Sequence, residues 1–289
     1  MSEMMRSEEK LAGLPPIRFI NLDRSVRRRE ALEAQFADWS ITDFKRIRAV
    51  DGRAGEVPNL LDGGLPADRD IAGAACSLSH LSAIRDWLET SDTSELMVME
   101  DDCVLDAIAH WPFSWKHFRA AVPADADAIQ VSVFSNYRVS YVLHPRGEAD
   151  FSSCCYVLTR PYAEKLMRIH ASGEKFRLDM YEDGRSTSEF MLFDSGKTYT
   201  FPMVRPHHDY VSDITGSIQP RHHIRSGMLF DQFWTEIAPT IQNWDEVLTA
   251  YPPFGRRWSR LDWRKHCGMV NRNRFPWLPI SIWNPKPKA

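Results

Sequence analysis

The sequence predicts an open α/β sheet with helices on both faces, and three observations carry that reading. Short apolar runs near residues 17–22, 96–99, 128–133 and 155–158 have the length and composition of buried strands. Apolar residues at three- and four-residue spacing mark helices between them, most regularly over 70–88. Strands and helices alternate along the chain, an order that builds a layered sheet covered on both sides. The chain has 289 residues, 43% of them hydrophobic and 11% aromatic, enough for one large domain or two small ones. A mixed, non-periodic sequence of that composition excludes disorder, collagen and coiled coil.

The elements follow in order. Residues 1–14 are polar and read as a mobile leader; the first ten lack the apolar stretch of a secretory signal. Pro15-Pro16 precedes a strand over Ile17–Leu22, and Asp23 or Ser25 caps a helix of which Ala31, Leu32, Gln35, Phe36 and Trp39 mark one face. Phe44–Val50 forms a second strand closed by the turn pair Asp51-Gly52, and residues 52–69 form a surface loop rich in Gly, Pro and Asp. From Asp70 the apolar positions Ile71, Ala74, Ala75, Leu78, Leu81, Ile84 and Leu88 fall at helical spacing and predict a helix. The strand Leu96–Met99 runs directly into Glu100-Asp101-Asp102. Strands at 128–133 and 155–158 follow, and Pro161 opens a helix reaching about Ala171.

Several function classes lose support. No apolar run approaches the roughly 18 residues of a membrane span. G-x-S-x-G, P-loop and G-x-G-x-x-G sequences are absent, removing the usual signs of serine hydrolases, P-loop nucleotidases and Rossmann dehydrogenases. The cysteines (Cys76, Cys103, Cys154, Cys155, Cys267) are odd in number and contain no C-x-x-C pair, so their spacing gives neither a disulfide framework nor a cysteine-based zinc site. A reducing, cytoplasmic location is the expectation. The net charge of −3 is unevenly placed: residues 251–289 hold nine Lys and Arg against Asp262, a net +8, leaving −11 for the rest. Trp258, Trp263, Trp277 and Trp283 are interleaved there. Such a segment suits a wrap on the acidic body, peripheral contact with an anionic membrane surface, or, less well, nucleic acid.

Chemistry concentrates at strand ends. Open sheets bind ligands beyond the carboxyl ends of their strands. Glu100-Asp101-Asp102 at such an end offers carboxylates to a hard cation such as Mg²⁺ or Mn²⁺, or else makes a solvated turn. Asn21-Leu22-Asp23-Arg24 with Arg27, Arg28 and Arg29 forms either a polar edge toward a nucleotide or a helix cap with a charged face. His80 lies within the apolar helix, where a satisfied core histidine is the ordinary reading. The pairs His207-His208 and His222-His223 are available as ligands or as exposed loop residues.

Taken in order, Phe19–Arg24 with Arg28-Arg29, Arg48-Ala-Val-Asp-Gly52, Gly73-Ala-Ala-Cys-Ser-Leu-Ser-His-Leu-Ser-Ala-Ile84 and Val98-Met-Glu-Asp-Asp102 resemble glycosyltransferase family 25. This is the lipooligosaccharide and lipopolysaccharide galactosyltransferase type, related to collagen galactosyltransferases. Cys154–Leu158 with Ala163, Leu178-Asp-Met-Tyr181 and Ser212-Asp-Ile214 resemble its later blocks. The resemblance implies a GT-A-like domain over 15–220, with 221–289 as an extension, basic and Trp-rich from 251. It implies inverting transfer of a hexose, commonly galactose, from a UDP-sugar to a saccharide or lipid-linked saccharide acceptor, with Mn²⁺ or Mg²⁺. On this resemblance Asp102 and Glu100 hold the metal. Asn21, Asp23, Arg24, Arg28, Asp51, His80, Glu100 and Asp101 lie toward the nucleotide-sugar. Asp179 is the general base, with Glu182, Asp183, Glu189 and Asp213 as alternatives. A protein or nucleobase acceptor, or a silent sugar-nucleotide-binding relative, are the competing expectations.

Overall fold

A computed structural model describes residues 6–65, 70–134, 139–147, 150–178, 187–207 and 221–249. In chain order its elements are α1 (Ser7–Lys10), β1 (Ile17–Asn21), α2 (Val26–Asp38), β2 (Phe44–Arg48), α3 (Val57–Leu60), α4 (Ile71–Thr90), β3 (Glu95–Glu100) and β4 (Cys103–Val104). There follow α5 (Trp115–Ala121), β5 (Ala128–Ser132), β6 (His144–Pro145), β7 (Cys155–Thr159), α6 (Arg160–His170), β8 (Ala171–Ser172) and β9 (Lys175–Phe176). The last are α7 (Ser188–Phe193), β10 (Thr198–Pro206), α8 (Arg221–Gln232) and α9 (Trp244–Leu248).

The central sheet has the order β2-β1-β3-β7-β5-β10-β4, with β6 also on β10. β1 is parallel to β2 and β3, β7 runs against both β3 and β5, and β10 is parallel to β5. Thus β1, β2, β3, β5 and β10 share one direction and bring their carboxyl ends to one edge. This is the open mixed sheet flanked by helices that the alternation predicts.

Both faces are buried, so these strands read as continuous apolar runs. On one face Met97, Met99, Ile129, Val131 and Val157 meet Leu32 and Phe36 of α2 and Trp115 and Phe118 of α5. On the other, Leu96, Val98, Tyr156 and Leu158 meet Ala74, Leu78 and Leu81 of α4 and Tyr162 and Leu166 of α6. Helix α4 starts where expected: the Asp70 carboxylate accepts from Gly73 N at 2.6 Å, satisfying one free amide of the first turn.

Three regions differ from the sequence reading. Part of the expected leader is anchored: Lys10 Nζ donates to Ile108 O and Ala109 O at 2.9 and 2.6 Å, and Leu11 and Leu14 pack on the core. Strand β10 was not anticipated. Pro202 interrupts its sequence, and its pairing with β5 shifts register between Thr200 and Val204, which accommodates the missing N–H. Finally, residues 221–249, expected as part of an extension, belong to the body. Trp234 is fully buried, stacks on Trp244 at 5.9 Å and donates from Nε1 to Pro202 O at 3.2 Å. The basic segment 251–289 lies outside the described residues. Among the described residues no helix is long and apolar enough to cross a membrane.

Candidate active site

The site follows from strand direction. β1 ends at Asn21, β3 at Glu100 and β10 at Pro206, all at the same sheet edge. Because β7 runs the opposite way, the segment leading into it arrives there too, and Glu100 N donates to Cys154 O at 2.7 Å. After Glu100 the chain crosses the edge to pair Cys103 and Val104 with Pro206 and Arg205, while His207 N donates to Asp102 O at 2.7 Å. Glu100-Asp101-Asp102 is therefore strung between β3 and β10 and held at both ends. Around it opens a cavity of about 690 Å³, lined also by Asn21, Arg24, Arg28, Arg53 and Glu189. That volume suits a small-molecule ligand, for which pockets run to roughly 300–1,000 Å³.

The three acids have different surroundings. Asp101 receives Asn21 Nδ2 at 2.7 Å and Arg28 NH1 at 3.1 Å. Burial still pushes its carboxyl up, against the pull of Arg28 and Asn21. Glu100 accepts from Ser153 Oγ at 2.7 Å and faces His80. Burial raises its carboxyl, but His80, Ser153 and Arg28 outweigh burial and hold it low. Among the described residues, the Asp102 carboxylate accepts only from a weak thiol donor, Cys154 Sγ, at 3.5 Å. Burial, then the charges of Glu100 and Asp101, push it up to about 7. Arg28 and Cys154 pull the other way without outweighing them, and a hard cation beside this carboxylate would add positive charge. Glu100 and Asp102 are the acids of the triplet that could offer oxygens to a divalent cation.

The remaining predicted residues are partly gathered by the fold. Asn21 is buried, with its amide shared among Ser25 O, Asp101 and Arg46, so it fixes the acidic triplet to the end of β1. Asp23 turns instead to Arg46 and Arg48, at 2.5 and 2.7 Å, and is not among the cavity-lining residues. Arg24 lines the cavity and pairs with Asp51, whose carboxylate also accepts from Arg53 N at 2.9 Å to shape the turn after β2. His80 is fully buried; its Nδ1 lies 3.0 Å from Tyr156 Oη. Burial pulls the imidazole down, but Cys76 and Glu100 outweigh it and push His80 up to about 10. Asp179, Glu182, Asp183, Asp213 and His208 lie outside the described residues, whereas Glu189 is placed in the cavity.

The sequence reading missed the 152–154 corner. Ser152 has φ 115°, a conformation rare for a residue with a side chain, and it lines the cavity. Its carbonyl accepts from Gln130 Nε2 at 2.8 Å, its N–H donates to Glu189 Oε1 at 3.2 Å, and its Oγ accepts from Cys154 N at 3.1 Å. Backbone strain held this firmly is a feature of functional sites. The adjacent Ser-Ser-Cys-Cys sequence carries no signal of it, because Gln130 of β5 and Glu189 of α7, which hold it, are distant in sequence. His223, one of the late histidines, also lines the cavity, its ring 3.7 Å from that of Phe134.

No family model and no curated protein matches the chain. Solved structures do. A197 from STIV is similar at 12% identity and a TM-score of 0.39, over 66% of this chain and 83% of that one. A glycosyltransferase involved in glycosylation of the major capsid of PBCV-1 is similar at 9% identity and 0.33, over 65% and 82%. HddC from Yersinia pseudotuberculosis complexed with GMP-PN is similar at 13% identity and 0.33, over 75% and 100%.

Proposed function

We propose that the protein is an inverting, divalent-metal-dependent glycosyltransferase that moves a hexose from a UDP-sugar to a saccharide acceptor. One observation carries the reading: the acidic triplet and Arg24, Arg28 and Arg53 line the same cavity at the carboxyl edge of the sheet. Carboxylates for a cation beside guanidinium groups for phosphate oxygens are the two halves of a diphosphate site. The resemblance to glycosyltransferase family 25 supplies the expectation of galactose and of a cell-envelope glycan as product.

Glu100 and Asp102 would hold the cation, with Asp101 kept back by Asn21 and Arg28. When bound, Mn²⁺ or Mg²⁺ stabilises the negative charge that develops on the departing diphosphate. The arginines orient the phosphates. The acceptor oxygen attacks the anomeric carbon, the bond to the phosphate oxygen breaks, and UDP leaves with the electron pair. A carboxylate takes the hydroxyl proton. Glu189 is supported by its place in the cavity, and Asp179 by the family resemblance.

A thermal-shift panel of UDP, GDP and CMP and their sugars, with Mn²⁺ or EDTA, tests the reading. Ligand at a hundredfold excess over Kd stabilises by about 2.7 kcal/mol. UDP and a UDP-hexose are expected to raise the melting temperature only with Mn²⁺. Absence of a shift with every nucleotide would contradict a donor site.

A further inference from the structure

The acids of the triplet do not themselves converge as a three-ligand set. Among the described residues, one set of three does: Cys76, His80 and Glu100, whose ligand atoms all lie within 4.8 Å of one another. Cys76 and His80 are four residues apart on α4, hence one turn apart on the same helix face. Glu100 meets them from the end of β3. All three line the cavity.

The surroundings of the set point to a ligand between these atoms. His80 is fully buried, yet its Nε2 makes no hydrogen bond; it faces Glu100 Oε1 at 3.3 Å without the alignment of one. Nitrogen and oxygen ligands about 2.0–2.1 Å from a tetrahedral ion stand roughly 3.3 Å apart. The other ring nitrogen is already oriented, with Nδ1 at 3.0 Å from Tyr156 Oη, and an outer partner of this kind fixes which nitrogen a ligating histidine presents. Ser153 Oγ donates to Glu100 Oε1 at 2.7 Å, and Ser188 Oγ donates to Cys76 Sγ at 3.4 Å. Each member of the set therefore has a second partner holding it in place.

We propose that Cys76, His80 and Glu100 form a site for a borderline-soft divalent cation, Zn²⁺ foremost, separate in chemistry from the hard-cation position at Asp102. A thiolate and an imidazole favour zinc over manganese or magnesium. On binding, the Cys76 thiol and the His80 imidazolium each release a proton to solvent, leaving a thiolate and an Nε2 lone pair for the ion. Three protein ligands facing a cavity leave a fourth position for water or a substrate oxygen, the arrangement of zinc sites that do chemistry. The two carboxylate oxygens of Glu100 are enough to serve both positions. The inference stands independently of the glycosyltransferase reading, since it needs no nucleotide.

Cobalt titration of the full-length, untagged protein is the test, after chelation and with circular dichroism to check folding. One equivalent of Co²⁺ should give a near-ultraviolet thiolate-to-cobalt charge-transfer band, displaced by one equivalent of Zn²⁺. Cys76→Ala should abolish the band, and His80→Gln should weaken Co²⁺ binding by tenfold or more. Asp102→Asn should retain the band, while losing Mn²⁺-dependent UDP binding if the hard-cation site is also right. A folded wild type that gives no band would overturn the proposal and leave His80 and Glu100 as a plain ion pair. A band that survives Cys76→Ala would overturn it as well, by assigning the thiolate to another cysteine.

Discussion

At the scale of single residues, the fold treats three adjacent acids differently. Asp101 is neutralised within the protein, whereas Asp102 is buried beside like charges with one weak donor. Asp102→Asn should therefore fold and should lose the metal-dependent part of nucleotide binding, measurable by calorimetry. Glu189→Gln should leave donor binding intact and lower kcat by roughly 10²–10⁴-fold if Glu189 is the base. The same assay on Asp179→Asn decides between the two. A third residue effect concerns stability. His144 Nε2 lies 3.2 Å from Asp150 Oδ2 in the core. Burial lowers this imidazole, but the Asp150 carboxylate outweighs burial and raises it. A raised histidine stabilises the fold fully below its unfolded value of about 6.5, and that contribution is lost as pH climbs through the folded value. Melting temperature should fall from pH 6.5 upward in the wild type, with a flatter profile in Asp150→Asn.

At the scale of elements, the sequence made most of the sheet visible. Strands β1, β3, β5 and β7 are buried on both faces, so local composition alone reveals them. The triplet was legible because it directly follows such a strand. β10 was hidden by Pro202, which a strand tolerates here only through the register shift. The corner at Ser152 and the Cys76–His80–Glu100 set were hidden for another reason: each joins residues far apart in sequence, and cysteine spacing alone says nothing of a helix facing a strand end. The same long-range packing places residues 221–249 in the body. Trp234→Ala should cost about 3–5 kcal/mol in urea unfolding, since it empties a core position and leaves Pro202 O without the indole donor. A cost below about 1 kcal/mol would show that this segment is not part of the folding unit. Gly196 gives a local check. A Cβ there would meet the Tyr162 ring at 2.4 Å, so Gly196→Ala should destabilise by about 1–3 kcal/mol.

At the scale of the whole molecule, direction in the sheet decides function. Parallel β1, β3, β5 and β10 deliver their ends to one edge, and the reversed β7 adds the 152–154 corner to it. Acids and arginines separated by many residues thereby share one cavity of about 690 Å³. The central claim is that this cavity binds a metal–nucleotide pair. Isothermal titration of UDP into wild type and Asp102→Asn, each with Mn²⁺ and with EDTA, tests it most directly. Saturable binding to the wild type with Mn²⁺ is expected, with loss of that binding both with EDTA and in the folded variant. Equal binding in all four titrations would contradict it.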